Sequence, residues 1–156
     1  MAKTFSGGIH PNDNKRYTAA KSVEQVPLPD KVVLPIRQHI GAPCVPLVKV
    51  GDLVKKGQLI AEAQAAVAAH VHASLSGKVV EIAEHPHPIF GSCAAIVIEN
   101  DGQDEWVEGL PLSRDWQTMS VDELKDCIRA AGIVGMGGGT FPTHVKMAPP
   151  PNKKID

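Results

Sequence analysis

The chain of 156 residues has a mass of 16.6 kDa, which fits one domain or one small domain with part of a second. Hydrophobic residues make up 43% and the mean hydropathy is −0.07, so the composition allows a buried core and excludes a disordered chain. Sixteen Lys and Arg against seventeen Asp and Glu give a formal charge of −1. This balance argues against nucleic acid and against polybasic membrane attachment.

Targeting and cysteine signals are weak. No uncharged apolar run approaches the roughly 20 residues of a membrane span, and the first residues lack the apolar segment of a secretory signal. Cys44, Cys93 and Cys127 are odd in number and widely spaced, which argues against a disulfide framework and against a metal or iron–sulfur site. We therefore predict a cytosolic, reducing setting in which the three thiols are buried.

The first hundred residues divide into a polar arm and a β-rich block. Residues 1–30 are turn-rich, and we expect them to wrap over a neighbouring domain. From 31 to 100, short β-branched segments bounded by Gly, Pro and Asp predict a small sandwich or barrel with a core of Val, Ile, Leu and Ala. The strand candidates are residues 31–36, 46–50, 58–62, 77–82 and 94–99. Residues 101–118, which are acidic and contain tryptophan, are interpreted as a linker packed on the surface.

The periodicity then changes from strand to helix. Ser120 and Glu123 form a capping-box pattern, apolar residues continue at helical spacing to Ala131, and Gly132 is placed to end the helix. Because one helix and a glycine loop cannot enclose a core, we interpret residues 119–156 as the truncated beginning of an α/β domain.

The β-rich block resembles the barrel-sandwich hybrid of biotinyl and lipoyl carrier domains over residues 45–83. The pattern V-x-x-G-Q-x-I at 54–60 and the turn at Ser76-Gly77 carry this resemblance. A carrier needs an exposed Lys in the hairpin between these halves, but the alignment puts Ala66 there, and no Lys lies between Gly57 and Gly77. We therefore predict a mainly β, barrel-sandwich fold without the carrier chemistry.

Two histidine pairs, His70-x-His72 and His85-x-His87, have the spacing that places both rings on one face of a strand. Each pair offers two metal ligands, but no third ligand follows from the spacing. We favour solvent-facing or structurally hydrogen-bonded histidines over a metal site. The prolines at 86 and 88 predict that the second pair lies in a surface loop.

Glycines cluster at 135–139, in the sequence G-M-G-G-G, with Lys146 beyond them. Clustered glycines let a backbone approach an anion such as phosphate, and Lys146 adds a point charge. The spacing matches neither the dinucleotide-binding fingerprint nor the P-loop, so on spacing alone a plain glycine-rich turn is favoured.

The longer string at 135–146, G-M-G-G-G-T-F-P-T-H-V-K, resembles the flavin-binding loop of the NADH-oxidising subunit of respiratory complex I, G-R-G-G-A-G-F-P-T-G-x-K. It departs from that loop at Met136, Gly139, Thr140 and His144. Together with the opening G-G-I-H-P at 7–11 and the lysine-free sandwich, it makes the whole chain similar to the N-terminal part of the RnfC family, a peripheral component of the Rnf ion-translocating electron-transport complex.

This resemblance implies a cofactor site without a catalytic residue. FMN would bind at Gly135, Gly137, Gly138, Gly139, Thr140 and Lys146, its phosphate against the amides of 137–139. His144 is interpreted as a plain loop histidine in preference to a proton donor. The 4Fe–4S clusters would belong to a later segment.

The resemblance also implies partners and a setting. NAD(H) and the other subunits of a membrane complex would be the partners, on the inner face of the cell membrane, with electron transfer between NADH and ferredoxin coupled to ion movement. The fragment alone would be inactive. Two alternatives stay open, a structural docking module and a component of a sodium-translocating NADH:quinone oxidoreductase.

Overall fold

The computed structural model describes residues 11–110, 115–137 and 139–150. The motif residues 7–10 and Gly138 therefore lie outside the described residues. Seven strands and two α-helices form the described part, together with 3₁₀ turns at Lys15–Tyr17 and Trp116–Thr118. The elements are β1 Lys31–Pro35, β2 Val45–Pro46, β3 Leu53–Val54, β4 Leu59–Glu62, β5 Val71–His72, β6 Gly77–His87, β7 Gly91–Asn100, α1 Val121–Ala130 and α2 Thr143–Lys146.

The strands form two antiparallel sheets, one in the order β1-β7-β6-β3 and the other in the order β2-β4-β5. The long β6–β7 hairpin is the centre of the larger sheet, with register from Gly77 opposite Asn100 to His87 opposite Gly91. A bulge between Val79 and Glu81 increases the local twist of this hairpin. The predicted mainly β, barrel-sandwich class is confirmed.

The core lies between the two sheets and is aliphatic. The largest fully buried apolar side chains in the strands and their connections are Ile60, Leu75, Val79, Ile96 and Ile98, each at most 1% exposed. Burying one such side chain contributes about 1.5–3 kcal/mol relative to leaving it exposed. The composition predicted a core of Val, Ile, Leu and Ala, and the buried set confirms it.

Two strand boundaries differ from the predictions. The strand expected over 46–50 ends at Pro46, and the predicted surface loop at His85–His87 is wrong, because these residues are the last of β6. Pro86 pairs with Ser92 of β7, while β3 reaches β6 only at residues 77 and 78. Within the described residues, no strand pairs with the other edge of β6 at Pro86. Proline has no backbone N–H, and at this position its absence removes no hydrogen bond between strands.

The arm and the linker contact the sandwich differently. Residues 11–30 are exposed throughout, and they join the sandwich where Asn100 donates to the carbonyls of Pro29 and Asp30. Residues 104–107 pair with the sandwich: Lys56 donates its amide to Glu105 O at 2.8 Å, and its Nζ lies 2.7 Å from Asp104 Oδ1. The proposed division into arm, sandwich, linker and incomplete α/β domain stays a prediction.

The capping box confirms the helix prediction. The Ser120 hydroxyl accepts from the amide of Glu123 at 3.3 Å, and the Glu123 carboxylate accepts from the amide of Ser120 at 2.7 Å. Gly132 follows the helix at φ +70°, the left-handed conformation that ends a helix. Neither α-helix in the described part of the chain is long and apolar enough to cross a bilayer.

Candidate functional site

Residues 133–143, which we call the glycine segment, form a narrow hairpin. Gly135 donates its amide to Phe141 O at 2.9 Å, and Thr143 donates to Ile133 O at 3.1 Å. Val134 and Pro142 form an antiparallel bridge between these two contacts. Gly137 and Gly139 thus lie at the end of a hydrogen-bonded hairpin, which restricts their conformations.

The turn of this hairpin contains a strained residue. Thr140 has φ +47°, and its amide donates to Gly137 O at 3.0 Å. The left-handed conformation costs an L-residue about 1–2 kcal/mol. Thr140 stands where the complex I loop has Gly, so the departure noted in the sequence adds strain at the end of the segment. Its hydroxyl makes no hydrogen bond within the described residues.

The predicted glycines have different surroundings. A Cβ at Gly137 would meet nothing within 4 Å, whereas one at Gly139 would lie 3.1 Å from Ile40 Cδ1. The amides of Gly137 and Gly139 donate to no acceptor among the described residues. Gly137 is therefore open to an external ligand, while Gly139 is needed for close packing against Ile40.

Lys146 brings a positive charge to the same place. A Cβ at Gly135 would contact the Lys146 Nζ, so glycine at 135 provides the room in which this ammonium lies. No carboxylate of the described residues lies within 4 Å of the Lys146 Nζ. The hairpin therefore brings together Gly135, Gly137, Gly139 and Thr140, and the Lys146 ammonium lies beside Gly135.

The β4–β5 loop, residues 63–70, lies directly beside this site and contains Ala66. Arg129 of α1 donates from Nη2 to Ala63 O at 3.0 Å and to Ala65 O at 3.3 Å. The Nε2 of His144 lies 3.1 Å from Ala66 O. The role of Arg129 is not visible in the sequence, because nothing in the helical pattern points to carbonyl groups more than sixty residues earlier.

His70 and His72 make structural contacts. Among the described residues, no group of three or more His, Cys, Asp and Glu side chains has a metal-binding arrangement. The rings of His70 and His72 lie 6.5 Å apart edge to face, and His70 Nδ1 already accepts from the amide of Ala63 at 3.0 Å. Burial lowers the pKa of both histidines.

The thiols are only partly as predicted. Cys44 is buried, its Sγ lies 3.0 Å from Ala69 O, and burial raises its pKa. Cys93 and Cys127 are half-buried, which corrects the prediction for those two.

The comparison with known families decides the relationship. The family model described as "RnfC Barrel sandwich hybrid domain" matches residues 3–103. The chain belongs to this family. The match covers both sheets, so it confirms the family predicted from the opening motif, the sandwich and the glycine segment. The glycine segment itself lies beyond the matched residues.

RnfC relatives extend the similarity to the whole chain. The chain is 64% identical over 156 residues to the C component of the proton-translocating ferredoxin:NAD(+) oxidoreductase complex of Clostridium ljungdahlii, covering 100% of this chain and 34% of that protein. It is 45% identical over 153 residues to the corresponding component of the Na(+)-translocating ferredoxin:NAD(+) oxidoreductase complex of Acetobacterium woodii, with 98% and 34% covered. It is 44% identical to that of the ion-translocating oxidoreductase complex of Pseudomonas aeruginosa, with 97% and 20% covered. The chain thus spans about a third or less of these relatives.

Proposed function

We propose that this chain is the N-terminal part of an RnfC protein that transfers electrons between NADH and ferredoxin in an ion-translocating membrane complex. The observation that carries the proposal is the 64% identity to the Clostridium ljungdahlii protein over all 156 residues. Its partners would be the other subunits and NAD(H), on the inner face of the cell membrane. The 4Fe–4S clusters would be held by residues outside this chain. The family match favours this assignment over a component of an NADH:quinone oxidoreductase.

The glycine segment is the FMN site in this proposal. The free amide and open surroundings of Gly137 suit close approach of a phosphate oxygen, and the uncompensated ammonium of Lys146 suits its charge. The Thr140 hydroxyl offers a further donor. The amides of Gly135 and Thr140 already donate hydrogen bonds within the hairpin and are not available to a phosphate. Gly135 would contribute to the site because its lack of a side chain leaves room for Lys146. These residues therefore fit an anionic phosphate group.

FMN, when bound, supplies two-electron exchange with NADH and one-electron exchange with clusters. The residues of this chain would bind the FMN phosphate and orient the cofactor. The hairpin hydrogen bonds reduce the motion of the Gly137 amide, and Lys146 offsets phosphate charge. His144 Nε2 is close enough to Ala66 O to donate to it, which supports a structural role for this ring over proton donation to a ligand.

The test is a titration of the purified protein with FMN, followed by the decrease in flavin fluorescence. We expect saturable quenching at micromolar protein and its loss in Gly137→Val, because the added side chain enters the open space that the ligand needs. Met136→Val is the matched control, since Met136 is 102% exposed and the same side chain is placed one residue away. Absence of quenching in the unaltered protein, or equal binding by the two variants, would contradict the site.

A docking module is a second candidate, and the exposed arm favours it. Val23 and Val26 are 101% and 86% exposed. Exposed apolar side chains are unfavourable in water, and contact with another protein of the complex would bury them. Deleting residues 11–28 is then expected to lower co-purification with the other subunits and to leave FMN quenching unchanged. Unchanged co-purification would argue against the docking role.

A further inference from the structure

The geometry points to a new role for the β4–β5 loop: it is the platform that positions the glycine segment, and Arg129, His144, His39 and His70 are its positioning residues. The inference rests on the proposed function for its consequence in flavin binding, and on contacts alone for its structural part. The contacts come from both sides of the loop.

The first set of contacts joins the loop to the helical part of the chain. Arg129 donates to Ala63 O and Ala65 O, and His144 donates to Ala66 O. These two residues flank the glycine segment, Arg129 four residues before Ile133 and His144 directly after Thr143. The residues that flank the segment on both sides are therefore hydrogen-bonded to three carbonyls of one loop. Hydrogen bonds from a charged donor such as Arg129 are the stronger kind.

The second set of contacts fixes the two ends of the loop. His39, in the connection between β1 and β2, accepts at Nε2 from the amide of Ala69 at 3.0 Å and so joins the loop to the sandwich. His70, at the end of the loop itself, accepts at Nδ1 from the amide of Ala63 at 3.0 Å and so closes the loop. A ring nitrogen that accepts an N–H carries no proton, so both rings must be neutral in this arrangement. His39 is only 3% exposed. The two imidazoles thus contact the two ends of the loop.

Two close approaches leave the loop and the segment little freedom. A Cβ at Gly41 would contact Val67 O, and a Cβ at Gly132 would contact His70 O. In addition, Ile40 donates its amide to Gly139 O at 2.9 Å, so the neighbour of His39 contacts the turn of the glycine segment directly. The position of the free Gly137 amide is therefore determined by the sandwich as well as by the hairpin.

The experiment measures hydrogen exchange of the glycine-segment amides, which needs no flavin, and FMN affinity in parallel. Arg129→Met removes the donors and keeps an aliphatic stem. Lys125→Met is the matched control on the same helix, because the Lys125 ammonium pairs with Asp122 within α1. Exchange of the β6–β7 amides reports whether the sandwich is intact.

We expect Arg129→Met to speed exchange at Gly135 and Thr143 about tenfold, as loss of a hydrogen bond to a charged group would give. Exchange in β6–β7 should not change, and Lys125→Met should behave like the unaltered protein. Arg129→Lys, which retains one charged donor, should restore part of the protection. His39→Gln keeps an acceptor for Ala69, whereas His39→Leu does not, so only the second should speed exchange in the segment.

The outcomes distinguish the proposal that the β4–β5 loop positions the glycine segment from the proposal that this segment binds FMN. Faster segment exchange with weaker FMN binding supports both of them. Faster exchange in a protein whose unaltered form binds no FMN supports the platform and overturns the flavin site. Segment exchange that does not change in Arg129→Met overturns the platform, whatever happens to FMN. Equal acceleration in β6–β7 also overturns it, because Arg129 would then stabilise the whole fold and not the segment.

Discussion

Replacing Gly132 with Ala tests whether the end of α1 is packed as closely on β5 as the structure indicates. Gly132 has φ +70°, and a Cβ there would contact His70 O and lie 3.3 Å from His72 Nδ1. The His70 carbonyl directly precedes β5 and cannot retreat without disturbing the smaller sheet, so the end of the helix must move. We therefore expect two separate costs, one from the backbone conformation and one from the contact.

Gly102→Ala isolates the first cost. Gly102 has φ +72°, almost the same conformation, but a Cβ there meets nothing within 4 Å. The left-handed conformation costs about 1–2 kcal/mol, and the stiffer unfolded chain returns roughly 0.4–1 kcal/mol, so Gly102→Ala should lower the free energy of unfolding by about 1 kcal/mol. Overpacking adds about 1–3 kcal/mol at Gly132, for a total of about 2–4 kcal/mol.

Urea unfolding followed by tryptophan fluorescence measures both variants against the unaltered protein. The signal is suitable because Trp106 contacts the sandwich and Trp116 precedes α1. A greater loss of stability in Gly132→Ala, by at least about 1 kcal/mol, is the expected result. Equal losses in the two variants would refute the close approach of Gly132 to His70.

Three further predictions concern pH, charge and the core. Burial lowers the pKa of His39, His70 and His72 from the ordinary 6.5, so as the pH falls the unfolded chain takes up protons before the folded protein does. The free energy of unfolding should therefore be at its full value above pH 6.5 and should decrease as the pH falls from there through the lower pKa values of the folded protein. Urea unfolding midpoints that stay constant between about pH 7 and 5 would contradict this prediction. Lys146→Gln should weaken FMN binding at low salt and lose its effect as salt screens the charge, and an equal effect in titrations at every ionic strength would exclude a role for the charge. Ile96→Ala removes a fully buried side chain and should lower the free energy of unfolding in urea by about 2–5 kcal/mol, whereas Ile89→Ala at a 65% exposed position should cost less than about 0.5 kcal/mol; similar losses would contradict the placement of the core.

Local patterns predicted the local structure well. The capping box of Ser120 and Glu123 involves residues three apart, so a short stretch of sequence contains the whole interaction. The β-branched runs identified the main strands for the same reason, and the missing Lys near Ala66 excluded a carrier domain without any structure. The two-residue strands β3 and β5 were not predicted, because two residues carry no periodicity.

The extent of β6 depended on tertiary structure. Pro86 predicts a loop when read locally, yet it lies in a strand because no neighbour pairs with that edge of β6 in the described part of the sheet. Whether an edge is paired is decided by the order of the strands, and a local pattern does not contain that order.

The amino-acid sequence by itself determined the family, the aliphatic core, the boundaries of α1 and the glycine segment as a candidate site, whereas α2 was not predicted. Only the tertiary structure decided which of the glycines is open, since Gly137 and Gly139 look alike in sequence and differ in whether Ile40 lies against them. It also decided that Arg129 and His39 contact the β4–β5 loop. These contacts join residues thirty or more positions apart, and such distances in sequence close only when the two sheets pack and bring the loop and the helix together.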